Sequence, residues 1–145
     1  MAAILLDPDH FTINGRYGHE SGDKALAVIG SVFSSTPRAG DFAARFGGEE
    51  FLILLPDTDR EGAINVAEKL RSEIGRAEVT GIGGPLAASL GVAVLPDDAV
   101  ESDELLRNAD RALHTAKESG RSRVHAFARS AAEAEPQPAT AVVTE

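Results

Sequence analysis

Two strand-like apolar runs in this chain meet across a pair of glycines. Phe42-Ala43-Ala44-Arg45-Phe46 leads into Gly47-Gly48-Glu49-Glu50, and Phe51-Leu52-Ile53-Leu54-Leu55 follows. This arrangement predicts a β-hairpin, because only glycine takes positive φ cheaply at both central turn positions. It commits the stretch to adjacent antiparallel strands, and the chain to a sheet. The chemistry of the turn is unusual, since two carboxylates adjoin two residues without side chains. Bare backbone at Gly47 and Gly48 admits a bulky anion, and Glu49 and Glu50 beside it can hold a divalent cation. That pairing suits a nucleoside triphosphate with its metal. Taken alone, the run reads more simply as a solvated hairpin tip, because turns favour glycine and charge for conformational reasons.

A second acidic cluster gives the first one weight. Ala2-Ala3-Ile4-Leu5-Leu6 is a continuous apolar run suited to a central strand buried on both faces. It ends in Asp7-Pro8-Asp9-His10-Phe11. A carboxylate at the end of a buried strand is partly desolvated, which is costly unless a cation or donor compensates. Asp7 and Glu49, brought together by adjacent strands, would form a hard oxygen site. Mg²⁺ suits such a site, since it uses one or two protein carboxylates and completes its shell with water and phosphate. The plain alternative for Asp7-Pro8-Asp9 is a turn.

The bulk properties narrow the field. With 145 residues, 43% of them hydrophobic, the chain suits one domain with a real core. No run approaches the roughly 18 apolar residues that span a bilayer. Met1 leads straight into a strand candidate without a basic segment, so no signal peptide is expected and a cytoplasmic location is. The absence of cysteine excludes disulfides and thiolate metal sites. A formal charge of -9 argues against binding the nucleic acid backbone. It leaves room for a nucleotide held through a metal and a local basic group, here Lys117, Arg121 and Arg123.

Periodicity and breakers order the remaining elements. A helix is predicted from Ser21-Gly22-Asp23 to about Ser34, with Leu26, Ile29, Val32 and Phe33 on its apolar face. After the hairpin, Asp59 is placed to cap a helix carrying Ala63, Val66, Ala67, Leu70 and Ile74. Leu86 to Leu95 reads as a strand in which Gly91 marks a bulge or a close approach. Ser102, as cap, opens a helix that runs to Ser119 with Leu106, Ala109, Leu113 and Ala116 on one face, and Gly120 ends it. Arg121 to Phe127 reads as a short last strand. From Ala128 onward Ala, Glu, Pro and Thr dominate without period, so residues 128–145 are expected to be a disordered tail and residues 1–127 the domain. The expected fold is α+β. Its core is a ferredoxin-like βαββαβ unit with added elements, in which an antiparallel-rich central sheet is flanked by helices.

These blocks, in this order, resemble the GGDEF family, the diguanylate cyclase domains of bacterial cyclic di-GMP signalling, in the GGEEF variant. The resemblance rests on Asp7-Pro8-Asp9-His10-Phe11, Tyr17-Gly18-His19-Glu20-Ser21-Gly22-Asp23, Arg45-Phe46-Gly47-Gly48-Glu49-Glu50-Phe51, Ser89-Leu90-Gly91-Val92-Ala93, Ala109-Asp110-Arg111-Ala112-Leu113 and Ala116-Lys117-Glu118-Ser119-Gly120-Arg121. It implies a fold like nucleotide cyclases and the polymerase palm. It also implies condensation of two GTP into cyclic di-GMP with loss of two pyrophosphates. By the same resemblance Asp7, Glu49 and the Pro8 carbonyl would ligate Mg²⁺ or Mn²⁺, with Glu50 in support, so that Glu49, Glu50 and Asp7 carry catalysis. Gly47 and Gly48 would pass the triphosphate, Asn14 and Asp23 would read guanine, and Lys117 and Arg121 would meet the terminal phosphates. Arg38 and Asp41 stand where the family has its inhibitory product site. Each domain makes half a site, so a homodimer is implied, with no nucleic acid or membrane contact.

The sequence departs from the family's pattern in three places. Only Thr12 and Ile13 separate Phe11 from Asn14, one residue fewer than the pattern, and its lysine is missing. Gly15 follows Asn14 where the family has aspartate. The family's preceding helical segment has no counterpart before Ala2, so the domain is expected to be N-terminally truncated. Two readings therefore stand: an active cyclase, or a degenerate module that binds GTP or cyclic di-GMP without turnover.

Overall fold

The computed structural model describes residues 1–9, 19–35, 38, 40–46, 50–77 and 86–128. In chain order the elements are β1 (Ala2–Pro8), α1 (His19–Ser35), β2 (Phe42–Phe46), β3 (Glu50–Leu55), α2 (Arg60–Arg76), β4 (Ala88–Val94), α3 (Ser102–Glu118) and β5 (Val124–Ala126). The strands form one sheet in the order β2-β3-β1-β4-β5. β1 lies at its centre, antiparallel to both β3 and β4, β2 pairs antiparallel with β3, and β5 runs parallel to β4. This is the expected βαββαβ plan with α3 and β5 added.

The period of two along each strand divides the core between the two faces. Ala2, Ile4 and Leu6 pack with Phe51, Ile53, Leu55, Leu90 and Val92 under α1 and α2, where Ile29, Phe33, Leu70 and Ile74 meet them. Ala3, Leu5, Leu52 and Ala93 face the other way, against Leu105, Ala109, Ala112 and Leu113 of α3. Because both faces of β1 are covered, its run is apolar without alternation. Gly91 is the close approach anticipated. A Cβ there would stand 2.2 Å from the Leu113 nitrogen and 2.3 Å from the Ala109 oxygen, so its lack of a side chain lets the α3 backbone rest on the sheet.

The hairpin closes at the pair Phe46 with Glu50. Three residues, rather than two glycines, therefore separate the last paired positions, and Glu50 is already the first residue of β3. Asp59 caps α2 as expected, accepting from the Gly62 nitrogen at 2.9 Å. Ser102 does not cap α3. The cap position is Glu101, without a side-chain cap bond. Bonds to the preceding loop fix that entry instead: Asn108 Nδ2 donates to the Asp98 carbonyl at 2.6 Å, and the Val100 nitrogen donates to Glu104 Oε1 at 2.9 Å. Leu105 is buried on α3, while Leu106 is only partly so. The last strand is shorter than its apolar pattern suggests. Gly120, Arg121 and Ser122 take φ of 126°, 63° and 50°, a left-handed turn that delays β5 to Val124. Residues 129–145, most of the expected tail, lie outside the described residues.

Candidate active site

Asp7, Glu50, Lys117 and Arg121 gather at one end of the sheet, where β1 finishes and β3 begins. Leu6 pairs with Phe51, and the strands run antiparallel, so Asp7 and Glu50 emerge side by side. Asp7 has the parity of Ala3 and Leu5 and so points to the face that α3 covers. Glu50 has the parity of Leu52 and does the same. The last turn of α3 brings Lys117 to them, and its Nζ donates to Asp7 Oδ2. Asp110, two turns earlier on α3, adds a further acid.

Crowding of acids shows in the titration of Glu50. Burial raises its pKa above the ordinary carboxylate value, the charges of Asp7 and Asp110 raise it further, and Lys117 opposes them. The ammonium of Lys117 thus stands where the acids need a cation. A cleft of about 450 Å³ opens here, lined by Glu50, Asp110, Arg111, His114, Thr115 and Lys117.

Asp9, two residues after Asp7 and on the same face, forms a second cluster. Its carboxylate accepts from Ser89 Oγ at 3.1 Å and from the Ser122 nitrogen at 3.1 Å, and Arg121 Nη1 lies 3.5 Å away. Asp9 and Ser89 are both buried. The acid pair at the end of β1 therefore meets the two expected phosphate cations in order, Asp7 with Lys117 and Asp9 with Arg121. The matching works because Lys117 ends α3 over Asp7 and the left-handed turn that follows carries Arg121 on to Asp9. Sequence reasoning assigned no role to Asp9, Ser89 or Asp110. The signal for Asp9 was the strand period, which puts Asp7 and Asp9 on one face.

The remaining expected residues fall into two groups. Asn14, Gly47, Gly48 and Glu49 lie outside the described residues. Asp23 is exposed on α1. Arg38 and Asp41 come together in the turn before β2: the Arg38 nitrogen donates to Asp41 Oδ2 at 2.9 Å, and Arg38 Nε lies 3.8 Å from the same oxygen. Arg38 also borders a cleft of about 530 Å³ at the opposite end of the strands, beside Pro56, Thr58, Leu95 and Asp97.

For a divalent metal, the donors fit in kind. Asp7 supplies a carboxylate at a strand end, a side-chain ammonium already balances it, and acid crowding at Glu50 favours a further cation. Among the described residues no three acids or histidines group closely enough to hold a metal by themselves. Mg²⁺ does not require three, since water and substrate phosphates fill its shell.

Comparison with known proteins gives the family. The model of the diguanylate cyclase GGDEF domain matches residues 1–123. An uncharacterized protein of Bacillus subtilis, YhcK, is 42% identical over 127 residues, which are 85% of this chain and 35% of the relative. Diguanylate cyclase DgcM of Escherichia coli is 40% identical over 123 residues, 83% of this chain and 29% of the relative. Among solved structures, the active GGEEF domain of a diguanylate cyclase from Vibrio cholerae superposes with a TM-score of 0.80 at 32% identity, covering 89% of this chain and 83% of that one. The GGDEF domain of Caulobacter crescentus DgcB, in complex with cyclic di-GMP, superposes with a TM-score of 0.77 at 31% identity, covering 86% and 76%. The chain belongs to the GGDEF family. It spans about a third of the length of the curated relatives it matches.

Proposed function

We propose that this domain is a diguanylate cyclase, which joins two GTP into cyclic di-GMP and releases two pyrophosphates. The observation that carries this reading is the convergence of Asp7, Glu50 and Lys117 at one strand end, in a chain of the GGDEF family. Asp7, Glu49 and the Pro8 carbonyl hold Mg²⁺ or Mn²⁺, and Glu50 keeps the negative potential that favours it. When bound there, such a metal would supply Lewis-acid polarisation of the α-phosphate and charge balance for the leaving pyrophosphate. Gly47 and Gly48 let the triphosphate lie against the hairpin. Asn14 and Asp23 pair with the guanine edge, and Lys117 and Arg121 meet the terminal phosphates.

The 3′-oxygen of one GTP bonds to the α-phosphorus of the other. The bond between α-phosphorus and the bridging oxygen breaks, and pyrophosphate leaves. Glu49 accepts the proton of the attacking hydroxyl. Two such steps close the ring, so two copies of the domain face each other as a homodimer. Cyclic di-GMP binds again at Arg38 and Asp41 as an inhibitor. A substrate of GTP requires the cytoplasm. No helix of the described residues is long and apolar enough to cross a membrane.

The test is incubation of the purified protein with GTP and Mg²⁺, followed by chromatography for cyclic di-GMP and pyrophosphate. Formation of both is the expected result. GTP binding without product would replace this reading with the degenerate binding module.

A further inference from the structure

We infer that Asp9 is a positioning residue that sets Arg121 at the triphosphate end of the site. The inference rests on the proposed phosphate role of Arg121. Two donors and one cation from two separate parts of the chain converge on the Asp9 carboxylate: Ser89 Oγ from β4, and the Ser122 nitrogen and Arg121 guanidinium from the turn after α3. The Asp9 backbone is held as well, its nitrogen donating to the Ala87 carbonyl at 2.9 Å.

That turn has good reason to need an anchor. Arg121 and Ser122 both take left-handed φ, which is strained for a residue with a Cβ. Backbone bonds secure its two ends. The Arg121 nitrogen donates to the Ala116 carbonyl at 3.0 Å, and the Leu90 nitrogen donates to the Arg123 carbonyl at 2.9 Å. Between them, the Ser122 nitrogen bonds to Asp9.

A buried carboxylate bonded to a backbone N–H makes a charge-assisted contact, stronger than a neutral one. It fixes the peptide next to Arg121 and attracts its guanidinium from one side. The Arg121 side chain remains 41% exposed. A guanidinium carries five N–H donors in a planar fork, a geometry that can address more than one oxygen acceptor. Asp9 itself is buried and oriented by Ser89, so it is not available to the nucleotide as Asp7 is. The two aspartates of Asp7-Pro8-Asp9 thus divide the work, one toward the metal and one toward a cation of the protein.

The experiment compares Mg²⁺-dependent binding of GTP and GMP by calorimetry in the wild type, Asp9→Asn, Arg121→Ala and the double variant. The GTP-to-GMP ratio isolates the terminal phosphates, and a purely structural role would lower both affinities together. Asp9→Asn should lower the ratio by about three- to tenfold. Arg121→Ala should lower it at least as far, and Asp9→Asn should add nothing in the double variant. If Asp9→Asn weakens GTP and GMP equally, or adds its full effect to Arg121→Ala, the positioning role is overturned while the phosphate role of Arg121 stands. If Arg121→Ala leaves the ratio unchanged, the phosphate role fails and the inference with it. Should Asp9→Asn not fold, Ser89→Ala removes one support of the carboxylate and should shift the ratio in the same direction by a smaller factor. An unchanged ratio there would overturn the inference.

Discussion

The two ends of the sheet handle charge in opposite ways. At the end where β4 finishes, Arg60 lies against Asp98 through two bonds of 2.8 Å, donates to the Phe127 carbonyl at 3.1 Å and lies 4.0 Å from Asp97. Asp98 also accepts from the Val94 nitrogen at 2.9 Å, and its carbonyl accepts from Asn108. Arg60, Asp98 and the Val94 nitrogen are matched there, and bonding to Asp98 raises the pKa of Arg60. At the other end Asp7, Glu50 and Asp110 crowd around Lys117, and Glu50 is harder to ionise than an ordinary carboxylate. The first end ties α2, the β4–α3 connection and the last strand into one body. The second sets acids beside Glu50 in excess of the Lys117 charge that opposes them, and a carboxylate perturbed in this way inside a cleft points to function.

The largest effect that separates the ends is expected at Asp7. Asp7→Asn removes a proposed metal ligand and should reduce cyclic di-GMP formation by about a thousandfold or more, since a bound metal supplies several kcal/mol of transition-state stabilisation. Its thermal unfolding should stay close to wild type. Near-normal turnover in a chromatographic assay would remove Asp7 from the site. Asp98→Ala is the opposite case. It strips Arg60 and the Val94 nitrogen of their partner and should cost about 2–4 kcal/mol in denaturant unfolding, with Arg60's partial exposure limiting the loss. GTP affinity of the folded protein should hardly change. If Asp98→Ala weakened GTP binding as much as stability, the division between the ends would not hold.

Arg38 tests the comparison from another side, since it borders the cleft at the matched end. If cyclic di-GMP binds there, that end also serves a ligand. Arg38→Ala should then weaken cyclic di-GMP by about tenfold in calorimetry, through loss of a charged hydrogen bond, and leave GTP unchanged. Equal losses for both ligands would argue against a separate product site.

Local pattern and distant contact account for what could be read in advance. The apolar run of β1, the helical spacing of Ala63, Ala67, Leu70 and Ile74, and the Asp59 cap depend on neighbours a few residues away, and all appear as expected. The nearness of Asp7 and Glu50 could be anticipated because strand order follows from the hairpin and the βαββαβ plan, while Glu49, the expected partner of Asp7, lies outside the described residues. The strand period could place Asp9 on the face of Asp7 but not give its role, because its partners lie 80 and 113 residues away and one is a backbone nitrogen in a left-handed turn. Ser102 failed as a cap for a different, local reason. Serine's local preference was outweighed by the bonds that Asn108 and Glu104 make to the preceding loop. Arg60 and Asp98 carry no motif at all; only the packed structure brings them together.

The smallest effect is the most direct probe of the acidic end. Glu50 has a raised pKa in the folded protein, chiefly from burial and then from Asp7 and Asp110. Below the ordinary carboxylate pKa it is protonated in both folded and unfolded chains, and its contribution to stability is fully present. As pH rises through the unfolded and then the folded pKa, the folded state must ionise it at a cost, and that contribution is lost. Glu50→Gln removes the cost. Without metal the variant should be more stable than wild type at pH 7, and the gain should vanish near pH 4. Glu50 is only partly buried, so solvent screening holds the gain to about half a kcal/mol. Adding Mg²⁺ with GTP should reverse the order, because the wild-type carboxylate then has a cation to face. Denaturant curves at the two pH values, with and without Mg²⁺ and GTP, read all four states. A variant less stable than wild type at pH 7 without metal would mean that Lys117 already neutralises the cluster, and that the end of the sheet holds no surplus for a ligand to relieve.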